Sequence, residues 1–291
     1  MTFLHKCAKM NIQYKFYCSI IKKEDIFIMG NALEFVFDPT EAAANVPVEH
    51  EEKDPIAVNE NHYIVALCLD KSGSMSITDS VLGKSRMELV NECAQKFVNT
   101  TELSTLDKEK VDLCVITFDS NVEIEKDFAP MSIIGDDFNL KCSGGTSLYK
   151  AMILACDKVR QRKNMLAAKG TPLFRPLVLV LTDGEPTDGK YRETCKKVLA
   201  ERVDGKKNDL IICGFGSADM PAMNSLCNNA QLVMLRNTDA IQQVFSMLSK
   251  SLAVASQSNV SDAIHLAMNE FNNLGVTQVQ NGQKVVNLNT N

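Results

Sequence analysis

The order of apolar and polar positions divides the chain into a regular centre and two irregular flanks. From residue 63 onward, short, predominantly apolar runs alternate with stretches of helical spacing. The runs at 63–69, 111–118, 177–181, 210–215 and 232–235 have strand length and no polar face. Strands of that kind are buried on both sides, as in a parallel sheet. Between them, 86–101 carries Met87, Val90, Ala94, Phe97 and Val98 on one helical face. The helix expected at 147–165 opens on Ser147 as N-cap and turns Ala151, Leu154, Ala155 and Val159 inward. Further helices are expected at 191–203 and 221–228, and one capped by Thr238-Asp239 runs to 255. Asp119-Ser120-Asn121 folds the second run back into Val122-Glu123-Ile124, an antiparallel hairpin partner. The expected fold class is α/β, with a mostly parallel central sheet, one antiparallel edge strand and helices on both faces.

The flanks read differently. Residues 1–28 mix five lysines (Lys6, Lys9, Lys15, Lys22, Lys23) with Phe16, Tyr17, Ile20 and Ile21, without sustained periodicity or a signal-peptide cleavage site. Lys23-Glu24-Asp25 can be encoded by AAGGAGGAT, a purine-rich bacterial ribosome-binding sequence, three codons ahead of Met29. A native start at Met29 is therefore the expectation, and an expressed N-terminal peptide from upstream of it would overturn that. Residues 29–59 hold a short alternating strand at 33–37 and an acidic linker. The domain occupies 60–255. In the tail, 256–291, a helix at 262–272 is the one expected element, followed by a polar, Asn/Gln-rich end.

Composition removes several function classes. The net charge of −5 leaves no basic footprint for nucleic acid. No apolar run approaches the roughly 18 residues of a membrane span. The ten cysteines include no Cys-x-x-Cys pair, and the four histidines are scattered, against a zinc site or a disulfide framework. Cys68, Cys114 and Cys213 lie inside apolar runs and read as buried thiols in a reducing cytosol.

The chemistry gathers where apolar runs stop. The first ends in Asp70-Lys71-Ser72-Gly73-Ser74, the third in Thr182-Asp183-Gly184, and Cys142-Ser143-Gly144-Gly145-Thr146 precedes a helix. Ligands of open α/β sheets bind at the carboxyl ends of the strands. Carboxylates and hydroxyls are hard oxygen donors that suit Mg²⁺ over a soft metal. Together, Asp70, Ser72, Ser74, Thr146 and Asp183 resemble the metal-ion-dependent adhesion site of von Willebrand factor A (vWA) domains over residues 60–255. That resemblance implies a Rossmann-like three-layer fold and a bound Mg²⁺, or Mn²⁺. It implies that Ser72 and Ser74 bind the ion directly, Thr146 in the ligand-engaged state, and Asp70 and Asp183 mostly through water. Neutral first ligands leave the ion electrophilic, so a partner's Glu or Asp carboxylate becomes an attractive further ligand.

Residues 175–188, from Arg175-Pro176 through Thr182-Asp183-Gly184-Glu185-Pro186-Thr187-Asp188, are similar to bacterial tellurium-resistance (TerY-like) vWA proteins, as are 216–220 and 245–251. The resemblance implies an intracellular, cytoplasmic protein of a stress-response or phage-defence complex, with kinase-like or phosphatase-like neighbours; charge and the lack of a long apolar run lead to the expectation of no nucleic-acid or membrane partner. The alternative is a vWA subunit of an AAA+ ATPase-coupled chelatase or remodelling assembly. No enzyme is expected. Gly83-Lys84-Ser85 imitates the end of a P-loop, but Thr78 stands where its first glycine belongs. Gly214-Phe215-Gly216 lacks the third glycine of a dinucleotide site. Cys142 has no histidine near it in sequence. Glu185 and Asp188 shape a turn, and Lys71 is expected to face solvent or a partner.

Overall fold

The computed structural model describes residues 61–258 except 81, 236, 237 and 239, together with the strands at 275–280 and 283–288. The expected start at Met29, the strand at 33–37 and the helix at 262–272 lie outside the described residues. Eight strands form one sheet: β1 Tyr63–Asp70, β2 Val111–Phe118, β3 Val122–Pro130, β4 Leu177–Thr182, β5 Asp209–Gly214, β6 Gln231–Leu235, β7 Gly275–Gln280 and β8 Gln283–Leu288. Their spatial order is β3-β2-β1-β4-β5-β6-β8-β7. The strands from β2 through β8 along that order are parallel, with β3 antiparallel to β2 at one edge. At the other edge the polar tail adds β7, antiparallel to β8, which the apolar pattern leaves unmarked.

The helices are α1 Arg86–Val98, α2 Thr105–Glu109, α3 Leu148–Ala168, α4 Arg192–Leu199 with a π-helical turn over Ala200–Asp204, α5 Met220–Asn224 and α6 Ala240–Ser258. They cover both faces of the sheet, which explains the uninterrupted apolar strands. In β1, Val65, Leu67 and Leu69 join Val90 and Phe97 of α1 and Val244 and Phe245 of α6 in one core cluster. The intervening Ile64, Ala66 and Cys68 join Ala151, Ala155 and Val159 of α3 and Leu199 of α4 in the other. Side chains alternate faces along a strand, so each layer takes every second residue and a polar position on either side needs a buried partner. The described cysteines form no disulfide, and all of them but Cys142 are buried. Burial pushes the thiols of Cys114 and Cys213 up to about 12, so they pack as small hydrophobes.

Local chemistry sets the helix starts. Ser85 caps α1 in a capping box: its hydroxyl accepts from the Glu88 N–H at 3.2 Å and Glu88 accepts from the Ser85 N–H at 2.6 Å. The apparent P-loop end is thus a helix cap. Ser147 precedes α3, but its hydroxyl donates to the Ser120 carbonyl at 2.9 Å. The first amides of α3 are served from another loop, where the buried Asp188 accepts from the N–H groups of Tyr149 and Lys150 at 3.3 and 2.9 Å. Thr238 likewise donates its hydroxyl to Asp79 at 2.6 Å, tying the loop before α6 to the loop before α1. Among the described residues no helix is long and apolar enough to cross a membrane.

Candidate metal centre

The register sets Leu69 of β1 beside Leu181 of β4, so Asp70 and Asp183 emerge at the same carboxyl edge of the sheet. Both carboxylates are fully buried. Asp70 accepts from the Ser72 N–H at 2.8 Å through Oδ1 and from the Thr182 hydroxyl at 2.5 Å through Oδ2. Asp183 accepts from the Ser74 hydroxyl at 2.5 Å through Oδ1 and from Arg86 Nη1 at 2.5 Å through Oδ2. The hydroxyls of Ser72 and Ser74 stand 3.1 Å apart. Each carboxylate therefore spends both oxygens orienting its surroundings.

The second loop is tied to the other two by its backbone. The Gly73 N–H donates to the Gly144 carbonyl at 3.1 Å and the Ser143 N–H to the Lys71 carbonyl at 2.8 Å. Thr146 is clamped against the third loop: its N–H donates to the Thr187 hydroxyl at 2.9 Å, and the Thr187 N–H donates back to the Thr146 carbonyl at 2.9 Å. A Cβ on Gly184 would lie 3.1 Å from Thr146 Oγ1 and 3.6 Å from Ser74 Oγ. Those two hydroxyls flank one glycine, and the loops that carry the five residues meet at one edge of the sheet.

The donor set fits a small hard cation. Six oxygens at 2.0–2.1 Å around Mg²⁺ sit about 2.9 Å from their neighbours. The Ser72–Ser74 separation of 3.1 Å is close to that edge. The candidate set is two carboxylates with three hydroxyls; among the described residues no group of three or more His, Cys, Asp or Glu side chains is arranged to hold a metal. Burial pushes the Asp70 carboxyl from the ordinary 3.8 up to about 6, with the Asp183 charge adding; hydrogen bonds from Thr182 and Ser72 hold it partly down.

A supporting ring was not legible in the motif. Asp119, just past β2, accepts from the Ser143 hydroxyl at 2.5 Å and the Asn121 N–H at 2.7 Å, and Ser120 Oγ accepts from the Gly145 N–H at 2.9 Å. Lys71 does not face open solvent: its ammonium donates to Glu123 on β3 at 2.7 Å and lies 3.7 Å from Asp119. Cys142 is half-buried, and burial followed by the charges of Asp183 and Asp70 pushes its thiol up, the opposite of an activated nucleophile. Glu185 is exposed.

Gly144 has a positive φ of +63°, and a Cβ there would meet Ser120 Oγ at 2.4 Å. Gly144→Ala is therefore expected to cost about 1–3 kcal/mol and to weaken Mg²⁺ binding on the order of tenfold by displacing the loop that seats Thr146. Isothermal titration of the variant checks this; an unchanged affinity would show that the loop conformation does not seat Thr146.

The profile of the von Willebrand factor type A domain matches residues 65–247. Among solved structures, the chain is similar to a von Willebrand factor type A protein from Catenulispora acidiphila, with 11% identity over 66% of this chain and 43% of that one at a TM-score of 0.49. It is similar to the PilB minor pilin from Streptococcus sanguinis, with 14% identity over 68% and 63% at a TM-score of 0.48. Proximal thread matrix protein 1 from the mussel byssus, with a zinc-occupied MIDAS motif, aligns with 15% identity over 67% and 46% at a TM-score of 0.49. The chain spans less than two thirds of the length of each of these proteins. No curated protein matches the sequence.

Proposed function

The chain belongs to the von Willebrand factor type A domain family, and from that premise we propose that it is a non-catalytic interaction module that captures an acidic residue of a partner protein through a divalent cation. Ser72, Ser74 and Thr146 are the direct ligands in this reading, and Asp70 and Asp183 act through water. Mg²⁺ is the ion favoured by the oxygen donors, with Mn²⁺ able to replace it. The observation that carries the reading is the use of the two carboxylates. Both oxygens of Asp70 and both of Asp183 already accept from Ser72, Thr182, Ser74 and Arg86. Carboxylates engaged in this way orient hydroxyl ligands and stabilise the ion without quenching it.

The wider setting in this proposal is a cytoplasmic bacterial stress-response or phage-defence complex of the tellurium-resistance type. The buried free thiols support a reducing compartment. Residues 175–188 support the TerY-like grouping, and the partner in that setting is a kinase-like or phosphatase-like protein. The non-catalytic reading draws support from Asp188, whose two carboxylate oxygens accept from the first amides of α3.

Purification of native complexes in Mg²⁺ and in EDTA tests the proposal and names the partner. The expected result is a partner retained with Mg²⁺, released by EDTA and absent from Thr146→Ala, with that variant's thermal unfolding near wild type. Retention in EDTA sinks the capture reading. Recovery of an AAA+ ATPase in place of a kinase or phosphatase would move the protein to a remodelling assembly.

A further inference from the structure

Arg86 reaches the candidate metal centre from outside the three motif loops. It is the first residue of α1, and its side chain is mostly buried, at 17% exposure. Nη1 donates to Asp183 Oδ2 at 2.5 Å while Ser74 holds Oδ1 of the same carboxylate at 2.5 Å. The guanidinium lies over the Phe215 ring, 5.3 Å from its centroid. A Cβ on Gly216 would stand 3.0 Å from both Nη1 and Nη2, and that glycine has φ +61°. The space for the guanidinium therefore depends on the absence of a side chain at 216. A flat cation held by a carboxylate, a ring face and a bare backbone has little freedom to leave.

A dication set between Asp70 and Asp183 would have its charge cancelled by the two carboxylates. Arg86 adds one positive charge at the Asp183 oxygen that Ser74 does not use, so ion, two carboxylates and guanidinium together sum to about +1. We propose that Arg86 is a positioning residue that offsets the charge of Asp183, weakening the hold on the cation and reserving positive potential for an incoming carboxylate. The inference rests on the metal-capture reading above. It gives that site a specificity device: without the arginine, the site would bind metal more tightly and acid less well. A merely structural ion pair predicts the reverse for metal, because loss of Arg86 would free Asp183 and loosen Ser74.

The test is titration of the full chain with Mn²⁺, followed by water-proton relaxation, for wild type, Arg86→Gln and Arg86→Lys, with thermal unfolding recorded alongside. Arg86→Gln is expected to bind Mn²⁺ roughly tenfold more tightly, the order expected for one charge removed at short range in a partly screened site. Arg86→Lys, which keeps the charge, stays near wild type. Added acetate displaces water from bound Mn²⁺ at several-fold lower concentration in wild type than in Arg86→Gln. Should Arg86→Gln not fold, Gly216→Ala, whose Cβ pushes the guanidinium away, reads the same sign. Equal or weaker Mn²⁺ binding by a folded Arg86→Gln overturns this inference alone. No Mn²⁺ binding by wild type overturns the metal reading and this inference with it.

Discussion

Asp70→Asn loses divalent-cation binding on the order of 10- to 100-fold and, without metal, unfolds at higher urea than wild type at pH 7. The two effects share one cause. Asp70 is fully buried, and its carboxyl titrates near 6 in the folded protein against an ordinary 3.8. The folded state thus holds the proton more tightly than the unfolded chain does. Stability from this group is present below pH 4, falls as the pH rises through about 6, and stays lower above it. At pH 7 the ionised, metal-free carboxylate costs about 3 kcal/mol by that shift. Asparagine removes the charge but can accept only one of the two hydrogen bonds from Ser72 and Thr182, so the expected gain is about 1–2 kcal/mol. Urea unfolding in EDTA at pH 7 and pH 5 checks the claim: the difference between variant and wild type should shrink at the lower pH. For wild type, Mg²⁺ affinity should fall as the pH drops below about 6, because protonation removes the Asp70 charge that helps to hold the ion through water. A pH-independent affinity between 5 and 7 would contradict this account of Asp70.

The second large effect is expected at the opposite end of the sheet. Asp112, the second residue of β2, accepts from Arg162 Nε of α3 at 3.0 Å, is also bonded to Arg162 Nη2, and lies 3.3 Å from His62 Nδ1. All three side chains are buried, with Arg162 at 7% and the others at 1% exposure. Asp112→Ala strips the guanidinium of its carboxylate inside the protein and is expected to cost about 3–5 kcal/mol. Replacing Asp112 and Arg162 together with apolar residues of similar volume should cost less than either single change, because no charge is then left buried without its counter-ion. Mg²⁺ affinity of the folded single variant should match wild type. Urea unfolding with a metal titration on the same samples separates the two charge clusters. A large loss of Mg²⁺ affinity in folded Asp112→Ala would show that the two ends of the sheet are coupled.

Much of the centre is legible from residues 63–255. Continuous apolar runs specify strands covered on both faces, and β1, β2, β4, β5 and β6 all stand within a residue or so of the expected bounds. The tail is the main omission. Alternation across 275–280 and 283–288 is weak, and the polar composition hides it. The available signal is Asn281-Gly282, a turn-forming pair between stretches that hold Val276, Thr277, Val279, Val285 and Val286. One helix cap fails in a second way. Ser147 has the right chemistry in the right place, yet its hydroxyl is drawn to a carbonyl on another loop.

The sequence alone determined the layered α/β fold and marked five candidate oxygen donors, because burial on two faces and a short donor-rich turn leave marks within a few adjacent residues. Only the tertiary structure decided what holds those donors. Thr182 reaches Asp70 across 112 residues of chain, Arg86 reaches Asp183 across 97, and Asp188 caps α3 across 39. Such partners carry no local signature, since a threonine, an arginine or an aspartate is chosen by the space and charge left after packing. The three candidate loops can therefore be read along the chain, while the pairings of Asp70 with Thr182 and of Asp183 with Arg86 exist only once β1, β4 and α1 are brought together.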